Sequence, residues 1–157
     1  DSIVQIWRDA ASPKIIRLEG FAGVGKTGLA GLVKARVNGV HVAGDEFVSP
    51  FDVPRSYRER MRQSEFNAAI EKAVSSKRAV ILDAVCLDEV APIATWGRGF
   101  VVYIKRLSFN KEDPIWHDGI SLEREAPIKE AHRSIHLYHN RVKPHETANL
   151  IIELPDE

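Results

Sequence analysis

Apolar residues fall along this chain in short runs of two alternating periods, and the alternation outlines its elements. Ile3, Ile6 and Trp7 share one side of a short helix over residues 2–9, which Ser12-Pro13 ends. Residues 14–19 read as a strand running straight into a glycine-rich turn, and Leu29, Leu32, Val33 and Val37 recur after that turn at helical spacing. A second short strand is predicted over 40–43. A loop marked by Pro50 and Pro54 separates it from one long helix, from about 55 to 77, with a stripe of Tyr57, Met61, Phe66, Ile70, Ala73 and Val74. Residues 79–82 form a continuous apolar run, the pattern of a strand buried on both faces, and it ends at Asp83. A fourth strand over 100–104, a helix over roughly 121–141 and a fifth strand over 149–153, closed by Pro155, complete the reading. Strands alternating with helices predict a three-layer α/β fold around a mostly parallel sheet.

At 157 residues the chain can bury one sizeable core, so a single domain over 1–157 is expected. The 22 basic and 22 acidic residues cancel, which removes any broad attraction to nucleic acid or to an anionic membrane and leaves anion binding to local features. Trp7, Trp96 and Trp116 are too scattered for a base-stacking platform. No apolar run approaches the roughly 20 residues that span a bilayer. Cys86 has no second cysteine to pair with, and no secretory leader is evident, so a reducing cytoplasm is the expected compartment.

The chemistry concentrates in the turn. Gly20-Phe21-Ala22-Gly23-Val24-Gly25-Lys26-Thr27, followed by Gly28, fills the pattern G-x-x-x-x-G-K-[ST]. Its glycines allow backbone angles that aim successive amides at one anion, and the following helix adds a partial positive charge. Lys26 is suited to the β- and γ-phosphates of a nucleotide, and the Thr27 hydroxyl to Mg²⁺. Asp83, at a strand tip, is the candidate second support for the metal, with helix capping near Leu87 as the competing use. ATP and Mg²⁺ are therefore the expected ligands.

These motifs, together with Gly44-Asp45-Glu46-Phe47-Val48-Ser49-Pro50, Tyr138-His139, Lys143-Pro144 and 148–152, resemble the small-molecule kinases of the P-loop superfamily, and among them the uridine-kinase-like group. The resemblance spans about 14–154. It implies a five-stranded parallel sheet in the order 2-3-1-4-5 and transfer of the ATP γ-phosphate to a hydroxyl of a nucleoside, sugar or similar small molecule. It also implies Asp45 as the base facing that hydroxyl, and a lid over about 107–133 whose arginines close on the phosphates. Arg124 is the leading candidate there, with Arg133 and Arg106 beside it. The acceptor is expected near Phe47, Arg55, Tyr57 and Arg58. A nucleotide-driven switch or assembly module and a toxin-like sugar-nucleotide kinase share the same loop and are the alternatives.

Other strings carry less. Asn110-Lys-Glu-Asp113 matches the N-K-x-D with which GTPases read guanine, but the chain contains no Asp-x-x-Gly. His132, His136 and His139 share one helix face, read as solvated or partly packed rather than as a metal site, because no H-E-x-x-H string is present. Asp88 and Glu89 suit the first turn of a helix after the third strand.

Overall fold

The computed structural model describes residues 2–20, 24–49, 55–109, 114–116 and 130–155, and side chains within 2–20, 24–49, 55–105 and 133–154. Helix α1 (Ser2–Asp9) leads into strand β1 (Ile15–Glu19), then α2 (Lys26–Val37) and β2 (Val40–Ala43). A single 3-10 turn (Gly44–Phe47) precedes α3 (Tyr57–Arg60), α4 (Gln63–Val74) and β3 (Val80–Asp83). After α5 (Leu87–Val90) and α6 (Ile93–Trp96) come β4 (Phe100–Phe109), β5 (Pro114–Trp116), α7 (Glu130–Val142), α8 (Pro144–Thr147) and β6 (Leu150–Pro155).

Five strands run parallel in the order β2-β3-β1-β4-β6, which is the expected order 2-3-1-4-5 once β6 is counted as the fifth. β5 is an addition the sequence did not announce, pairing antiparallel with the far end of β4. Connections from β1 run to one side of the sheet as far as β2 and return, and β4 lies on the other side, so the strand order reverses at β1. Open α/β sheets hold ligands beyond the carboxyl ends of the strands at such a reversal.

The register lines up the carboxyl tips. Ala43, Asp83 and Leu18 share one row, and Glu19 stands beside Tyr103 in the next. One face of the sheet packs Ile16, Leu18, Ile81, Phe100 and Val102 against Ile3 of α1 and Ala30 and Val33 of α2. The other packs Val42, Val80 and Leu82 against Phe66 and Ile70 of α4, Leu87 and Val90 of α5, and Ile135 and Tyr138 of α7. Burying a side chain such as Phe66 or Ile70 completely stabilises the fold by about 1.5–3 kcal/mol each.

The long helix expected over 55–77 is two helices. Met61 bridges to Val48 in antiparallel fashion, the Arg62 amide donates to the Phe47 carbonyl (2.7 Å), and the Arg62 guanidinium donates to the Glu46 carbonyl (2.6 Å). These bonds draw the chain out of helical geometry between α3 and α4 and fasten it to the turn that carries Asp45. The helix expected over 121–141 is described from Glu130 to Val142, and 121–129 lie outside the described residues. No helix among the described residues is long and apolar enough to cross a membrane.

Candidate active site

Two glycines of the turn have a steric reason. A Cβ on Gly20 would stand 2.8 Å from the Ile104 carbonyl oxygen, so the chain leaves β1 only as glycine. Gly25 caps α2 in the left-handed region (φ 101), where glycine alone is unstrained. Helix α2 then begins at Lys26, presenting its amino end to the sheet tips. Phe21, Ala22 and Gly23 lie outside the described residues. Val24 is fully buried and packs into the core, so any part it plays toward a ligand is through its backbone. Thr27 and Gly28 are exposed, with open space around Gly28.

Lys26 is only 7% exposed, and its ammonium donates to the Gly20 carbonyl (3.0 Å), closing the turn on itself. Burial pushes its pKa down, while Asp83, Asp45 and Glu19 oppose that shift and favour the charged form. Asp83 is buried at the tip of β3, where its Oδ2 meets Nε2 of His41 on β2. Cys86, not Asp83, occupies the cap position of α5, so the competing use of Asp83 as that helix cap is absent. Asp88 and Glu89 do occupy the first turn of α5, and Asp88 accepts from the Ile93 amide at 2.8 Å.

Asp45 projects from the 3-10 turn at the tip of β2 and is exposed. The Tyr57 hydroxyl donates to its Oδ1 (2.9 Å). Tyr57 is buried, and burial together with the negative charge of Asp45 holds its hydroxyl firmly protonated, so it remains a donor. Gly44 makes this geometry possible, because a Cβ there would lie 2.6 Å from the Ala84 Cβ and 2.8 Å from the Tyr57 hydroxyl. Phe47 packs edge-on against Phe66 with ring centroids 5.4 Å apart, which makes it part of the core packing. Arg55, Arg58 and Arg133 are exposed; Arg124 lies outside the described residues, as does the side chain of Arg106.

A possible uridine kinase from Bacillus stearothermophilus has a similar structure, with a TM-score of 0.57 over 97% of this chain and 100% of that one, at 10% identity. The chain has the P-loop kinase fold. A gluconokinase from Sinorhizobium meliloti 1021 (TM-score 0.47, 15% identity, 92% of this chain and 85% of that one) and a shikimate kinase from Aquifex aeolicus vf5 (0.43, 20%, 88% and 86%) align less closely. No protein-family model and no curated protein sequence matches the chain.

Within this P-loop kinase fold, the residues hardest to foresee are ionisable groups buried behind the loop. Arg17 and Glu19, two apart on β1 and so on one face of the sheet, are 0% and 3% exposed. Arg17 donates to the carbonyls of Ala91 and Gly97, and Tyr138 on α7 donates to Glu19 Oε1 at 2.8 Å. Two histidines of α7 also depart from expectation, while the side chain of His132 lies outside the described residues. His136 and His139 are fully packed, not solvated or partly packed, because the side of α7 that carries Ile135 and Tyr138 joins the core. His139 Nδ1–H donates to the Ile135 carbonyl (2.9 Å), which leaves Nε2 to accept from the Tyr103 hydroxyl (3.0 Å). Burial holds its pKa down at about 3, so the ring is neutral. Among the described residues no cluster of three metal-ligating side chains exists.

Burial raises the Glu19 pKa from 4.5 to about 7, against the opposing effects of Tyr138, Arg17 and Lys26. The folded chain therefore binds a proton there that the unfolded chain has released, and stability falls as pH rises from 4.5 to about 7, then levels. A shift of that size corresponds to about 3 kcal/mol at most. Glu19→Gln keeps an acceptor for Tyr138 and removes the titration. Its melting temperature, relative to the wild type, is expected to climb across that pH window and hold steady above it; a difference that does not vary with pH would contradict the assignment.

Proposed function

We propose that this chain is an ATP-dependent kinase that transfers the γ-phosphate to a hydroxyl of a small molecule such as a nucleoside or a sugar. The observation that carries the reading is the placement of Asp45. A carboxylate fixed by the Tyr57 hydroxyl stands at the same sheet edge as Lys26 and Asp83, exposed to a solute where those two are buried.

The donor set fits the ligands. A turn whose Gly20 admits no Cβ, a helix amino end and a buried ammonium suit a polyphosphate. The Thr27 hydroxyl and the Asp83 carboxylate are hard oxygen donors of the kind Mg²⁺ takes, directly or through water. Bound there, Mg²⁺ would neutralise charge on the β- and γ-phosphates. Lys26 exchanges its bond to the Gly20 carbonyl for a phosphate oxygen. Asp45 accepts the proton of the acceptor hydroxyl as the new O–P bond forms, and ADP leaves with the electrons of the bond to its β-phosphate oxygen. Arg124, from the segment over about 107–133, is the proposed cation that closes on the transferred group. The 3-10 turn, Arg55, Tyr57 and Arg58 border the space proposed for the acceptor.

The test is ADP release from Mg·ATP across nucleosides, sugars, sugar nucleotides and hydroxylated antibiotics. One acceptor class should raise the rate by at least about a hundredfold, the scale that general-base catalysis supplies. ATP binding with slow hydrolysis that no acceptor accelerates would instead favour a nucleotide-driven switch module.

A further inference from the structure

The carboxyl of Glu19 is buried in the middle of a parallel sheet, where an apolar side chain would serve the packing better. Its neighbour Arg17 is accounted for by the two carbonyls it ties down. Glu19 is half satisfied: Tyr138 donates to Oε1, and among the described residues no donor reaches Oε2. The position of Glu19 is what makes this informative. It directly precedes Gly20, whose carbonyl holds the Lys26 ammonium. The Tyr138 hydroxyl that binds Glu19 also accepts from the Asp88 amide at 3.0 Å, so one oxygen joins the end of β1, the start of α5 and the middle of α7. Helix α7 in turn follows the segment that carries Arg124.

Resting on the kinase reading above, we propose that Glu19 and Tyr138 are positioning residues that set the phosphate loop against α7, and that entry of a polyphosphate is coupled to proton uptake by the Glu19 carboxyl. The groups that face this carboxyl are Arg17 on β1, Lys26 on α2, Cys86 and Asp88 at the β3–α5 corner, Tyr138 on α7 and, beside it in the register, Tyr103 on β4. Of these, Lys26 is the cation that a nucleotide draws away from Glu19. Once the ammonium is neutralised by phosphate and several negative charges stand at the loop, the ionised carboxyl is disfavoured twice over. It takes a proton from solvent, and the Tyr138 bond persists to neutral Glu19. With the group near half ionisation at neutral pH, about half a proton is taken up per site at pH 7, and affinity declines as pH rises.

Calorimetric titration of Mg·ADP in buffers of different ionisation enthalpy measures that proton number. Comparing wild type with Glu19→Gln cancels the ionisation of the nucleotide itself. The wild type should take up about half a proton more than Glu19→Gln at pH 7, and its affinity should fall across pH 6–8 relative to that variant. Tyr138→Phe should weaken Mg·ADP binding about three- to tenfold, the scale of one ordinary hydrogen bond. Equal proton numbers in wild type and Glu19→Gln, or unchanged affinity in a folded Tyr138→Phe, would overturn the proposal. Lys26→Ala separates it from the reading it rests on. If Lys26→Ala still binds Mg·ADP like the wild type, the nucleotide site itself is misassigned; if it does not, and the Glu19 and Tyr138 variants are silent, only the coupling fails.

Discussion

Asp45→Asn is expected to lower acceptor-dependent turnover by about a hundred- to ten-thousandfold while leaving the affinity for Mg·ATP within about twofold of the wild type. The substitution is mild in the ground state. An asparagine oxygen still accepts from the Tyr57 hydroxyl, which stays a donor because its burial disfavours ionisation, so the turn from Gly44 to Phe47 keeps its fastening. What disappears is the capacity to take a proton, and that matters only as the acceptor oxygen attacks. Steady-state rates with the best acceptor, alongside calorimetric titration of Mg·ATP, separate the two effects. A variant that turns over like the wild type would remove Asp45 from the chemistry and move the search for the base to another carboxylate at the sheet edge.

Lys26→Ala acts earlier and more broadly. It deletes the buried side chain whose charged form Asp83, Asp45 and Glu19 favour against the effect of burial, and with it the cation proposed for the β- and γ-phosphates. A donor aimed at developing charge is worth about a hundred- to a thousandfold in turnover when removed. Loss of ground-state binding adds to this, so kcat/KM should fall by at least about a thousandfold. The sharper readout is thermal. Saturating Mg·ATP should raise the melting temperature of the wild type, since a ligand that binds only the folded state stabilises it. It should leave that of Lys26→Ala unchanged, each protein being compared with its own nucleotide-free value. A variant that keeps the full nucleotide-induced shift would mean that Lys26 serves the turn, through Gly20, and not the ligand.

How much of this was legible in the sequence depends on how local the determining interactions are. The phosphate loop was readable because its glycines, lysine and threonine lie within eight residues and Gly25 must enter the left-handed region; that Gly20 must also clear Ile104, 84 residues on, was not. Asp83 was readable as a strand tip because an apolar run ended there. Strand order followed only from family resemblance, since periodicity says which residues are buried and not which strands adjoin. The break between α3 and α4 was illegible because its cause is the pairing of Met61 with Val48, thirteen residues earlier, while the apolar stripe continues across it unbroken. The pattern Ile16-Arg17-Leu18-Glu19 looks like a strand with one wet face, and both polar residues are in fact buried, because Ala91, just after α5, and Tyr138 of α7 supply them with partners. His136 and His139 misled for the same reason. A polar helix face looks solvated until its neighbours are known.

The strand order has a further consequence for how the protein is made. β1 lies between β3 and β4, which begin at Val80 and Phe100, and the loop it delivers leans on the carbonyl of Ile104. At synthesis rates of about 5–20 residues per second, β1 is made on the order of ten seconds before the two strands it will pair with. Throughout that interval both edges of β1 lack the neighbours they have in the folded sheet. A nucleotide bound as proposed can act only on a sheet whose middle is complete.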